Sequence, residues 1–332
     1  MGAKINSIDI YLPENVLTNE QLANEFGRWK PERIENKLGI KERHIAASNE
    51  TAGDMAYHAA KKVLQNFDKD KIDMLVLCTQ SPDYFLPTTA CVLQDRLGLR
   101  TDLCAYDFNL GCSGFIYGLA MAKSFINSGI ASNVLLITSE TYSKHIHPKD
   151  LALRTIFGDA AAAIIIEKTD EEHIFEFVLG TDGKGMNNLI VPNGCLRNAH
   201  KPEAEEKISE AGDVYTDNNL FMNGPEIFNF TIEAVPLAVN KCLNKNNLTL
   251  DDIDYTIFHQ ANKYMIDYLR KKMGILKEKF YDNMLLTGNT VSATIPIAFS
   301  DALTNGKIVR GNKVLLCGFG VGYSWGAVVV KV

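Results

Sequence analysis

Nowhere in this chain do two cysteines stand in a C-x-x-C pair. The seven cysteines, at 78, 91, 104, 112, 195, 242 and 317, are also odd in number. That argues against a disulfide framework or a structural zinc site and implies reduced thiols in a cytoplasmic protein. Most of them fall in apolar stretches, where packing is the expected role. Positive charge is not concentrated either: 34 Lys and Arg are outweighed by 40 Asp and Glu, for a net charge of −6. With no basic cluster, a nucleic-acid partner is not expected. The longest strongly apolar run, "AAAAIII" at 160–166, is too short to span a bilayer. The start, "MGAKINSIDI", has no signal-peptide core. Asn6 stands where a myristoylation pattern wants Ser or Thr. His145 and His147 in "KHIHPKD" have no Cys or carboxylate ligand pattern beside them, so no metal site is expected. "GFGVGYSWG" at 318–326 lies between two strand-like runs, the wrong context for a dinucleotide-binding fingerprint.

What is present is an alternation of strand-like and helical runs over 332 residues, which indicates an α/β fold. The order of these runs repeats. "DKDKIDMLVLCTQSPDY" (68–84) matches "TLDDIDYTIFHQANKY" (249–264), each after a helical stretch. "LGCSG" (110–114) matches "TGNTVS" (287–292) as a strand-to-helix corner, "NVLLITSE" (133–140) matches "KVLLCGFG" (313–320), and "FGDAAAAIIIE" (157–167) matches "YSWGAVVVKV" (323–332). Cys112 lies 40 residues after Ile72, and Asn289 lies 36 after Ile253. Two similar halves are therefore expected, 1–170 and 171–332, with the polar, aperiodic stretch 193–219 as a surface insertion in the second. Ligands of such folds bind beyond the carboxyl ends of the strands.

The repeat places His259 where the first half has Cys78, and Asn289 where it has Cys112. Cys112, His259 and Asn289 thus converge on one cleft. Taken singly, each has a plain structural explanation: a small core residue, an interior histidine, a turn asparagine. Their convergence points to chemistry. A thiol attacks as thiolate, and a helix start and an imidazole both lower its pKa. The corner "LGCSGF" supplies the helix start. Its amides, including that of Cys112, form an oxyanion site, with Gly322 as the second expected donor.

On these residues a family resemblance rests. "GCSGFIYGLAMA", "HQAN", "GNTVSATIP" and "GFGVGYSWGA" resemble the β-ketoacyl-acyl-carrier-protein synthase III group of the thiolase superfamily. "SIDIYLPENVLTNEQLANEF", "LGIKERHIA", "SPDYFLPTTACVLQ" and "FGDAAAA" resemble it as well, so the likeness runs along the whole chain. The resemblance implies a five-layer thiolase-like fold of two βαβαβαββ halves in a homodimer. It implies that Cys112 carries an acyl group as a thioester. His259 and Asn289 would hydrogen-bond the carbonyl of a malonyl thioester as it decarboxylates, with acyl-CoA and acyl-carrier protein as substrates and no metal or redox cofactor. Asn262, which closes "HQAN", is expected at the substrate site.

Departures from the family pattern are confined to donor recognition. Arg33 stands where a tryptophan stacks on the coenzyme A adenine, Trp29 being four residues away. Leu151 stands where an arginine closes the other adenine face. Asn229 and Tyr264 occupy positions where basic residues dock the carrier protein. Leu86 replaces a phenylalanine that reaches across the dimer and limits the acyl pocket. Three alternatives stay open: a relative from a specialised pathway with a non-standard donor or acceptor, a non-catalytic partner subunit, and a thiolase using Cys317 as a second cysteine.

Overall fold

The computed structural model describes residues 2–332. Strands β1 (Gly2–Tyr11), β2 (Met74–Cys78), β3 (Cys104–Phe108), β4 (Asn133–Glu140) and β5 (Ala160–Thr169) form one five-stranded sheet in the order β1-β5-β4-β2-β3. Strands β4, β2 and β3 pair in parallel, and β5, between β1 and β4, is antiparallel to both, so that β1 runs in the same direction as the parallel set. Strands β6 (Val178–Thr181), β7 (Tyr255–Phe258), β8 (Lys313–Gly320) and β9 (Ser324–Lys331) form a second sheet in the order β7-β8-β9-β6. Its pairings are parallel, antiparallel, antiparallel. The second sheet therefore repeats four of the five strands of the first, with β6, β9, β8 and β7 in the places of β1, β5, β4 and β2.

The layers follow from side-chain alternation along the strands. Met74, Val76, Val134 and Leu136 face inward onto the middle helices α3 (Gly114–Asn127) and α6 (Thr294–Thr304), as do Val314 and Leu316 from the other sheet. Their neighbours Leu75, Leu77, Leu135 and Ile137 face outward onto α1 (Ala52–Val63), near α2 (Thr89–Arg96). Leu315 and Val329 face outward onto α4 (Gly224–Lys245) and α5 (Lys263–Lys272). Sheets buried on both faces need near-continuous apolar strands, which "MLVLC" and "VLLC" supply. The order of layers is helix, sheet, helix, sheet, helix, as expected for the thiolase-like fold. Among the described residues no helix is long and apolar enough to cross a membrane.

Two expectations need adjustment, both about the runs before the two corners. The run before Cys112 reads as a buried strand, but β3 is the edge of its sheet and only partly buried, with Cys104 exposed. The corresponding run before Asn289 is not a strand; isolated bridges pair Thr256 with Phe280 and Phe157 with Asn289. Most of the cysteines are buried as expected, at 78, 112, 242 and 317, while 91, 104 and 195 are exposed. The insertion at 193–219 is mostly exposed but tethered: Asp213 is buried and holds Arg28 at 2.9 Å, and Lys149 reaches Glu206 at 2.9 Å.

Candidate active site

The chain leaves β3, turns through Gly111 and Cys112, and enters α3 at Gly114. Space forces this corner to be small. A Cβ at Gly111 would lie 2.5 Å from Gln80 Oε1, and one at Gly114 would overlap the Cys78 sulfur. A third approach comes from β8, where a Cβ at Gly318 would lie 2.8 Å from the Cys112 carbonyl oxygen. The corner is pinned to the loop after β8 as well. Ser324 Oγ donates to the Val321 carbonyl at 2.8 Å, so the 2.6 Å contact between Ser113 and Ser324 is a donation from Ser113.

His259 follows β7, and its backbone amide donates to the Cys317 carbonyl at 2.8 Å. Asn289 is gripped by the first half. Its amide donates to Ile156 O at 2.9 Å and its carbonyl accepts from Gly158 N at 3.0 Å. This approach requires glycine twice. Gly288 sits at φ 65°, where a Cβ would lie 2.8 Å from Ile156 O, and a Cβ at Gly158 would overlap the Thr287 carbonyl. Cys112, His259 and Asn289 together line a cavity of about 90 Å³, closed by Ile156, Phe157, Leu189, Met222 and Phe319. A larger surface hollow of about 420 Å³ shares only Phe157 with it and holds none of the three.

The electrostatics depart from expectation. The Cys112 thiol is pushed up to about 12, first by burial and then by the neighbouring Glu140, although the amides of Val321 and Cys112 itself pull it down. His259 is lowered to about 3 by burial and is neutral at pH 7. The resting site therefore holds a thiol and a neutral imidazole. The low-pKa thiol expected from the helix start is not present, because full desolvation outweighs the amides. The backbone amides that favour the charged sulfur are those of Cys112 and Val321; Gly322 is not among them.

Glu140 was not singled out by sequence. It is fully buried at the end of β4, accepting from Gln80 N at 3.0 Å and from Ser292 Oγ at 2.9 Å. Burial raises its carboxyl to about 8. A glutamate closing an otherwise apolar strand run, "NVLLITSE", was the available signal. Tyr142 was also unforeseen: it is buried against Phe157 and donates to Gln80 Oε1 at 2.9 Å. Cys317 is fully buried, does not line the cavity, and has Cys242 as the neighbour that raises its thiol further after burial.

The donor-recognition positions are dispersed. Asn262 lines the cavity and caps α5, accepting from Met265 N at 2.9 Å. Tyr264 is 63% exposed on α5, with Phe228 at 5.7 Å and Phe228 in turn at 5.2 Å from Tyr268. Asn229 is exposed on α4, and Arg33 is exposed on the helix Pro31–Leu38, which packs against α5. Trp29 is partly buried, with Lys37 Nζ 5.9 Å from its ring. Leu151 is 1% exposed in a short helix capped by Asp150, so it has no face to offer a ligand. It is a core residue, and its assignment to substrate binding is corrected. Leu86 is 83% exposed beside exposed Tyr84 and Phe85, and is not part of this cavity.

Residues 106–183 match the family model for 3-oxoacyl-[acyl-carrier-protein] synthase III, and residues 243–332 match the model for its C-terminal part. The β-ketoacyl-[acyl-carrier-protein] synthase III of Clostridium perfringens is 36% identical over 333 residues, 99% of each chain. A solved 3-oxoacyl-(acyl-carrier-protein) synthase III is similar over the whole of both chains, with TM-score 0.98 and 46% identity. A 3-oxoacyl-(acyl-carrier protein) synthase from Burkholderia xenovorans LB400 has TM-score 0.92 and 35% identity, over 100% of this chain and 94% of that one.

Proposed function

This chain belongs to the 3-oxoacyl-[acyl-carrier-protein] synthase III family, and from that premise we propose that it catalyses a decarboxylating Claisen condensation of an acyl thioester with a malonyl thioester. The sulfur of Cys112 attacks the acyl carbonyl, and the donor's thiol departs carrying the proton that Cys112 gives up. A malonyl thioester, carried by acyl-carrier protein, then enters and loses carbon dioxide. The electron pair of the broken C–C bond passes into an enolate whose oxygen accepts hydrogen bonds from His259 and Asn289. The enolate carbon attacks the acyl-Cys112 carbonyl, the sulfur leaves and takes up a proton from water in place of the one carried off by the donor's thiol, and a β-ketoacyl thioester is released. Each step balances with no electron transfer to a redox group.

The observation that carries this reading is the convergence of Cys112, His259 and Asn289 on one small apolar cavity. A neutral imidazole suits the middle step, because a neutral donor aimed at developing charge in a water-poor site gains most as the charge forms. Burial opposes the first step by holding the thiol protonated, so the proton must leave the sulfur as it attacks, and the amides of Val321 and Cys112 are what favour the thiolate there. The amides of Cys112 and Val321 are the oxyanion donors for the tetrahedral states at Cys112. A homodimer belongs to the same proposal. It is supported by the open edge of β3 and by the exposed run Tyr84-Phe85-Leu86, a combination that sheet proteins usually cover.

A second reading, a related acyltransferase of a specialised pathway with a non-CoA donor, is favoured by one set of observations: Leu151 is buried, and Arg33, Asn229 and Tyr264 replace the expected adenine and carrier contacts. Offering acyl-CoA and acyl-carrier-protein donors in parallel separates the two. Mass spectrometry reads the acyl group on Cys112, and product formation reads condensation with malonyl-carrier protein. Efficient use of a simple acyl-CoA supports the first reading and sinks the second. No acylation of Cys112 by any donor sinks both.

A further inference from the structure

Between Asn289 and α6 the chain takes a conformation that L residues avoid. Val291 has φ 56°, and a β-branched residue in this region is a genuine outlier. Such strain persists where the surrounding structure imposes it, commonly at functional sites. Here the turn does two things. The Val291 amide donates to Asn289 Oδ1 at 2.9 Å, which fixes the side-chain amide and leaves its nitrogen as the donor end. The Val291 carbonyl accepts from the backbone amide of Thr294, and the Thr294 hydroxyl lies 3.0 Å from the same carbonyl. That hydroxyl is also 2.7 Å from Nδ1 of His259.

A threonine hydroxyl has one proton to give, and these two acceptors compete for it. The hydrogen bonds can be completed in two ways: the hydroxyl donates to the carbonyl and accepts from Nδ1–H, or it turns to Nδ1 and leaves the carbonyl its Thr294 amide, and the donor role of His259 requires the second. We infer that Thr294 is a positioning residue that donates its hydroxyl proton to Nδ1 of His259 and thereby keeps the ring proton on Nε2. The inference rests on the reading of His259 as a donor to the enolate oxygen. A neutral imidazole carries one proton, and the hydrogen bond made by one nitrogen sets the state of the other. With the proton on Nε2, His259 and the Asn289 amide offer two N–H groups to one oxygen. With the proton on Nδ1, the ring would turn a lone pair toward developing negative charge. One strained turn thus orients both donors: Asn289 through the Val291 amide, and His259 through Thr294.

Two substitutions and one spectrum test this. Thr294→Val removes the hydroxyl at nearly constant volume, and Thr294→Ser retains it. In T294V, acylation of Cys112 is expected to stay within about twofold of wild type. Decarboxylation and condensation should fall by roughly tenfold to a hundredfold, less than the loss of an oxyanion donor itself, with the change in kcat rather than KM. T294S should recover most of that loss. In full-length protein labelled with ¹⁵N-histidine, His259 should be protonated on Nε2. A wild-type ring protonated on Nδ1 overturns the inference, as does T294V condensing at the wild-type rate. T294S as impaired as T294V overturns it too, since the methyl group would then be what matters. If T294V does not fold, the wild-type nitrogen spectrum still decides. Failure of the functional reading is separately visible: His259→Ala would then condense normally.

Discussion

The two halves share a topology and differ in the element before the active-site turn. In the first half that element is a strand, β3, parallel to β2 in continuous register from Met74↔Cys104 to Cys78↔Phe108. In the second half it is irregular chain, attached by a bridge at Phe280 and another at Asn289. The helices differ in the same way. α3 begins two residues after Cys112, whereas a 3-10 turn, Val291–Ala293, separates Asn289 from α6. The difference matches the chemistry proposed for each. A nucleophile needs its own backbone amide at the helix start beside its side chain, so strand, sharp corner and helix must follow at once. A side-chain donor needs only to be aimed, and an irregular turn with side-chain hydrogen bonds does that. The duplicated frame supplied two equivalent corners, and each was shaped to a different task.

The largest test separates the tasks. Cys112→Ala is expected to abolish acylation and turnover. Asn289→Ala should still acylate Cys112 but lose condensation by about 10²–10³-fold. Mass spectrometry of the intact protein and product assay read the two steps. Equal loss of acylation in both variants would mean that the halves do not divide the work.

A second test strikes the corner from the other half. Gly318→Ala would place its Cβ 2.8 Å from the Cys112 carbonyl oxygen and 2.9 Å from the Ser113 Cα. Backbone has to shift, at about 1–3 kcal/mol of stability. Thermal unfolding should register that loss, and acylation should drop by roughly tenfold or more. Unchanged acylation would show that β8 is not what fixes the corner.

A third test concerns Glu140, whose carboxyl bonds Gln80 in the first half and Ser292 in the second. Burial raises this carboxyl from 4.5 to about 8. The group is therefore protonated below that value and charged above it, and its charge disfavours the Cys112 thiolate. The sign for stability follows: its contribution is full below about pH 4.5 and is lost as pH rises toward 8. Glu140→Gln removes the charge while keeping a polar amide of similar shape. Alkylation of Cys112 by iodoacetamide should match wild type at pH 6 and exceed it several-fold at pH 9. A ratio that does not change with pH would remove Glu140 from control of the thiol.

The smallest effect is expected at Cys317. Its sulfur is buried beside Cys242 and off the cavity, so Cys317→Ala should leave turnover within about twofold. It should cost only a small cavity's worth of stability. A large loss of turnover would revive the two-cysteine, thiolase-like alternative.

Much of the site was legible because it is written as motifs around sharp turns. "LGCSGF" announces a strand-to-helix corner, and "HQAN" and "TGNTVS" stand where the repeat requires its counterparts. Other parts were legible only in error. Leu151 falls, by the resemblance, at a donor-binding position, yet it is buried in a helical turn capped by Asp150. Gly322 reads as the second oxyanion donor, whereas the amide that joins that of Cys112 at the sulfur is that of Val321.

The sequence by itself determined the α/β frame, its duplication and the identity of Cys112, His259 and Asn289 as a set. Strand periodicity, turn chemistry and repeat order are local properties, readable within tens of residues. Only the tertiary structure decided the state of those groups: a buried thiol held protonated beside Glu140, a neutral imidazole, and a Thr294 hydroxyl poised at its Nδ1. Desolvation and hydrogen bonding depend on which atoms meet across long separations. Glu140 and Ser292 lie 152 residues apart in the chain and 2.9 Å apart in space.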